Sequence, residues 1–100
     1  MAHLYTLRGH KPVPCADVLE WGRWIESADR HVGSDYLGTI HVSTVFLGLN
    51  HQFGNGRPML FETMIFGGPL DQYTERYSTW DEAEAGHRRA VNMMRERMPA

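Results

Sequence analysis

His51, Glu62 and His87 are two imidazoles and a carboxylate, the donor set of some catalytic zinc sites, where a metal-bound water serves as nucleophile. None of the three lies in a short metal-ligand motif, so such a site must be assembled by the fold. If Asn55-Gly56 makes a two-residue type I′ turn, His51 falls opposite Leu60 and Leu49 opposite Glu62. His51 and Glu62 are then diagonal neighbours on one face of adjacent strands, and His87 joins them if the last helix lies over that face. The plainer reading is an imidazole and a carboxylate satisfying each other at the rim of the core. It assigns no catalytic residue, no metal and no cofactor.

A second set is suited to binding. Trp24, Arg57, Tyr73 and Arg76 combine ring surfaces with guanidinium charge, which is the chemistry that holds nucleotide bases, phosphates or the anchors of a protein partner. Gly54-Asn55-Gly56 before Arg57 offers backbone amides to a phosphate, but a tight turn accounts for the same glycines and no helix follows. Cys15, at a helix start, has the placement of an activated thiol. With no histidine partner in the pattern, it reads as a small half-buried residue.

The elements that must position these groups follow from periodicity. His3 to Arg8 alternates as a short strand, turns at Gly9-His10-Lys11-Pro12 and returns briefly at Val13. From Ala16 to about His31, Val18, Trp21, Ile25, Ala28 and Val32 recur at spacings of three and four, the period of a helix face. Gly33-Ser34-Asp35 reads as a polar connector. Leu37 to Gln52 and Arg57 to Phe66 then form a long β-hairpin, and Gln72 to Tyr77 a shorter edge strand. Thr79-Trp80-Asp81-Glu82 is a capping box opening a last helix, whose stripe is Trp80, Ala83, His87, Ala90, Val91 and Met94.

One face of the hairpin carries Val45, Leu47, Leu49, His51, Phe53, Leu60, Glu62, Met64 and Phe66, and the other Val42, Thr44, Phe46, Gly48, Asn50, Met59, Phe61, Thr63 and Ile65. Both are largely apolar, whereas a sheet with one wet side alternates cleanly. A helix on each side, a second copy of the chain or a macromolecular partner must cover the second face.

The chain has 100 residues, 42% hydrophobic and 22% charged, which suits one domain spanning 1–100. A formal charge of −2 argues against broad nucleic-acid binding, which leaves a basic footprint. The single cysteine excludes an intrachain disulfide and suits a reducing compartment. With no leader pattern at Met1 and no apolar run long enough to span a bilayer, the expected location is the cytoplasm.

The phrases VSTVFLGLNHQFGNG, PMLFETMIFGG and YSTWDEAEAGH, with LEWGRWIESADRHV upstream, resemble a group of small hypothetical proteins of tailed phages and prophages, over Val18 to about Val91. The resemblance implies a phage-encoded product in the bacterial host cytoplasm and marks no residue as catalytic. It suggests an accessory factor that binds a host or phage protein, counter-defence being one such role.

The expected architecture is α+β: an antiparallel sheet of three to five strands centred on the hairpin, with two helices packed on it. The leading function is an accessory binding protein whose surface is the exposed sheet and the Trp24 side of the first helix, with a homodimer as one way to cover the second face. The alternatives are a nucleotide or small-molecule binder and a metal-dependent hydrolase using His51, Glu62 and His87.

Overall fold

The computed structural model describes residues 3–51 and 56–98. Its elements run β1 (Tyr5–Arg8), β2 (Lys11–Pro14), α1 (Val18–Ser27), β3 (His31–Leu37), β4 (Ile40–Phe46), β5 (Phe61–Phe66), β6 (Thr74–Tyr77) and α2 (Trp80–Arg97). β1 and β2 form a two-stranded ribbon, and β3-β4-β5-β6 a four-stranded sheet in which every pairing is antiparallel. The class is the expected α+β.

α2 forms as its local signals require. The Thr79 hydroxyl accepts from Glu82 N–H at 3.1 Å, and the Glu82 carboxylate accepts from Thr79 N–H at 3.1 Å and Ser78 N–H at 3.2 Å. Ala83, Gly86, His87, Ala90, Val91 and Met94 face inward. They meet Val42 and Ile65 at one end of the sheet and Phe46, Leu60, Phe61 and Tyr77 at the other.

α1 is shorter than its periodicity suggested. Asp17 caps it, accepting from Leu19 N–H at 2.9 Å and Glu20 N–H at 3.2 Å, and the helix ends at Ser27 because Ala28 turns extended to lead into β3. Val18, expected on the buried stripe, is 65% exposed. Trp24 sets its edge on Phe46, with ring centres 5.8 Å apart, so α1 closes one end of the face that α2 covers.

Two expectations about the sheet are corrected. Gly33-Ser34-Asp35 is the middle of β3, not a connector; Gly33 fits there because a Cβ would stand 2.8 Å from the His87 ring. The central pairing is β4 with β5, and its register is displaced by four residues from the one expected: Glu62 lies opposite Val45, and Leu47 N–H reaches Leu60 C=O at 2.7 Å. The cause is Gly48, whose φ of +77° ends the strand and turns the chain toward β1, where Tyr5 N–H donates to Gly48 C=O at 2.8 Å and Asn50 N–H to His3 C=O at 3.0 Å. Of the expected turn Asn55-Gly56, Asn55 lies outside the described residues.

A displacement of four is even, so it leaves each residue of β4 and β5 on its expected face, whereas Leu60, expected beside Glu62, joins the core of Phe46 and Phe61. Val42, Thr44, Phe46, Phe61, Thr63 and Ile65 are buried beneath α2. On the opposite face Phe66 is 42% exposed and Tyr36 is 70% exposed.

Candidate functional site

The polar groups fall into three places: a buried chain under α2, an arginine-lined depression beside β6, and the uncovered face of the sheet.

The buried chain begins at Asp35 on β3, whose Oδ2 lies 2.7 Å from His87 Nε2. His87 Nδ1 is 2.7 Å from Thr44 Oγ1, which is 2.5 Å from Thr63 Oγ1. Tyr77 Oη is 3.0 Å from Thr63 Oγ1 and 2.9 Å from Glu75 Oε1, and Arg89 Nη2 donates to the same carboxylate oxygen at 3.2 Å. One hydrogen-bonded line therefore crosses all four strands. Register explains it: Thr44 is paired with Thr63, Thr63 with Glu75 and Phe61 with Tyr77, so these side chains share the inward face.

The directions along the line depend on the tautomer of His87. The five contacts from Asp35 to Glu75 need five hydrogens; Thr44, Thr63 and Tyr77 supply one each, and ionised carboxylates supply none. A neutral imidazole adds one and a doubly protonated ring two. Tyr77 Oη has one hydrogen to share between Thr63 and Glu75, and burial pushes its phenol up to about 12.

Asp35, His87 and Thr44 have the composition of a carboxylate–imidazole–hydroxyl hydrolytic triad. The nucleophile's place is wrong for that chemistry, because Thr44 is 0% exposed and no substrate carbonyl reaches its hydroxyl without unpacking the core.

The expected His51, Glu62 and His87 grouping is not assembled. Glu62 points to the uncovered face and accepts from Arg76 Nε at 2.9 Å, His87 is on the other side of the sheet, and His51 follows the Gly48 bend, its N–H on Met59 C=O at 3.1 Å. Among the described residues no group of three His, Cys, Asp or Glu side chains is placed to hold a metal ion.

Of the four residues expected to bind, Arg57 and Arg76 come together. They line a depression of about 340 Å³ with Arg89, Met59, Tyr77, Ser78, Glu82 and Ala85. Arg57 forks onto Glu82 at 3.0 and 3.1 Å, and these bonds hold the Glu82 carboxyl below its ordinary range. Tyr73 packs against the core cluster of Val42 and Ile65, where burial raises its phenol, and Trp24 sits half-buried on Phe46.

On the uncovered face, Tyr36 stacks on His41 with ring centres 4.3 Å apart and planes 4° from parallel, and Phe66 follows at 5.9 Å from His41. Ser34 Oγ fixes the imidazole from the side, 2.8 Å from Nε2. Three rings on three neighbouring strands thus make one row. Asp35, Thr44, Thr63 and Arg89 were missed in the sequence; the one available signal was that two threonines occupy inward positions of an apolar alternation and so need partners.

Comparison with family models, curated proteins and solved structures returns no match. No helix among the described residues is long and apolar enough to cross a membrane.

Proposed function

We propose that the chain is a phage-type accessory protein that binds another protein, of the host or of the phage, through the uncovered face of its sheet. The observation that carries this is the placement of both helices against one face, which leaves the Tyr36, His41 and Phe66 row on the other. A row of rings with a fixed imidazole offers apolar area and a hydrogen-bonding site at low entropic cost, as interface anchors do. The same face carries the Glu62–Arg76 pair, whose charges cancel, on a chain of formal charge −2, so it has no excess positive charge for a phosphate backbone. The phage context, the host cytoplasm and counter-defence rest on the resemblance alone.

The test is paired capture from lysate of a bacterial host and from phage-infected cells, using the wild-type chain and a Tyr36→Ala, Phe66→Ala double variant of unchanged circular dichroism. A protein held by the wild type, released by the variant, and protecting β3, β4 and β5 amides from exchange supports the reading. Equal retention by both chains overturns it, as does a dimer in sedimentation that the double variant converts to monomer.

A further inference from the structure

The buried line of hydrogen bonds surfaces at its Asp35 end, in a depression of about 260 Å³ lined by Asp35, His87, Arg88, Val91, Asn92 and Arg95. Arg88, Asn92 and Arg95 follow one another at spacings of four and three, so they form one stripe along the flank of α2. Among the described residues neither Arg88 nor Arg95 has an ion pair or a hydrogen bond, unlike Arg57, Arg76 and Arg89, each of which is held by a glutamate. Glu84, one turn before Arg88, makes no ion pair with it and does not line the depression. The helix dipole accounts for a cation in the last turn, which suits Arg95, but gives no reason for one at Arg88 in mid-helix. The one carboxylate present is already engaged: Asp35 Oδ2 lies 2.7 Å from His87 Nε2, which leaves Oδ1 open. The depression therefore sets two uncommitted guanidiniums and an amide against one shared carboxylate.

We propose that this depression binds a small phosphate monoester with a free hydroxyl, a sugar phosphate in chemical class, the phosphate on Arg88, Asn92 and Arg95 and the hydroxyl on Asp35. Seven residues of helix set the two arginine backbones about 10 Å apart, so their long side chains can close on one group from either end. A phosphate ester offers three terminal oxygens and close to two charges, enough to accept from two guanidinium forks and an amide together. A carboxylate, with two oxygens and one charge, leaves part of that donor set unused. Asp35 repels a bare anion and accepts from a ligand that brings a hydroxyl, so it favours the ester over inorganic phosphate. Val91, only 8% exposed, walls the carbon skeleton. The volume falls just below the roughly 300 to 1,000 Å³ of ordinary ligand pockets, which fits one sugar rather than a dinucleotide. The depression lies on the α2 side of the sheet and the Tyr36, His41 and Phe66 row on the other, so the two sites fail independently.

The probe is ribose 5-phosphate, titrated to about 10 mM against the full chain and followed by calorimetry and amide chemical shifts, with inorganic phosphate and ribose as comparisons. Expected are saturable binding, shifts centred on Asp35 and residues 87–95, inorganic phosphate weaker by about tenfold, and no binding of ribose. Arg88→Gln and Arg95→Gln change exposed, unpaired side chains, so each should keep the fold and lose about tenfold in affinity. An Arg8→Gln, Arg23→Gln double variant, which removes two exposed charges outside the depression, should bind as wild type does. Three results each overturn the proposal. The first is no saturation by about 10 mM. The second is inorganic phosphate bound as tightly as the ester. The third is an equal loss in the Arg8→Gln, Arg23→Gln variant, which would reduce the effect to net charge.

Discussion

His87 Nδ1 lies 2.7 Å from Thr44 Oγ1, a contact between the middle of α2 and the middle of β4 made beneath a sheet that leaves the residue only 7% exposed. It ties the helix to the two central strands through one hydroxyl.

Replacing His87 with Ala removes that tie and the Asp35 contact together, and empties ring volume next to Gly33. The expected loss is about 2 to 4 kcal/mol, combining a cavity with a buried hydroxyl short of a partner. Urea unfolding measures it, and a loss below about 1 kcal/mol would show that the line of hydrogen bonds adds little.

Two glycines are needed for space. At Gly33 an added Cβ stands 2.8 Å from the His87 ring, and at Gly86 it would run into the Tyr77 phenol. Alanine in a helix interior ordinarily stabilises by up to about 1 kcal/mol relative to glycine. At Gly86 the sign reverses, because the phenol is buried and hydrogen-bonded. Gly33→Ala and Gly86→Ala should each destabilise by about 1 to 3 kcal/mol in thermal or urea unfolding; a stabilised Gly86→Ala would mean that α2 stands off from β6.

What could be read beforehand was local. The Thr79 capping box and the inward stripe of α2 depend on residues three and four apart, and the faces of β4 and β5 depend on alternation alone. The register was not legible, since it was inferred from Asn55-Gly56 while Gly48 turns the chain aside first. Asp35 and His87 are 52 residues apart and meet only because β3 is a strand, which its Gly-Ser-Asp composition hides. Arg57 and Arg76 could be picked out as cations, yet nothing in the sequence told that Arg89 completes their depression.

Acid should act through Glu82. Its carboxyl is held low first by the Arg57 fork and then by the Ser78 and Thr79 amides, so its contribution to stability is present above the ordinary carboxylate range and is lost as pH falls through its folded value. The pair is solvent-exposed and screened, so the contribution is small, about 1 kcal/mol or less. Glu82→Gln keeps part of the cap but loses the fork. The urea midpoint of this variant should sit slightly below wild type at neutral pH and merge with it in acid; a constant gap would assign the effect to capping alone.

Alkali should act through Tyr77. Its phenol is raised from an ordinary 10.0 to about 12, chiefly by burial, so the folded state favours the protonated form. That stability is fully present below the ordinary value and is lost as pH rises from about 10 through about 12, amounting to about 2 to 3 kcal/mol. Tyr77→Phe removes the titrating group together with its bonds to Thr63 and Glu75, which costs about 1 to 2 kcal/mol at neutral pH. Burial raises Tyr73 in the same direction, so the variant keeps a weaker alkaline loss. Unfolding curves across this range should therefore converge, with the wild type more stable at pH 8 and its advantage gone near pH 12. Parallel curves would mean that Tyr77 reaches solvent and that the hydrogen-bonded line ends at Thr63.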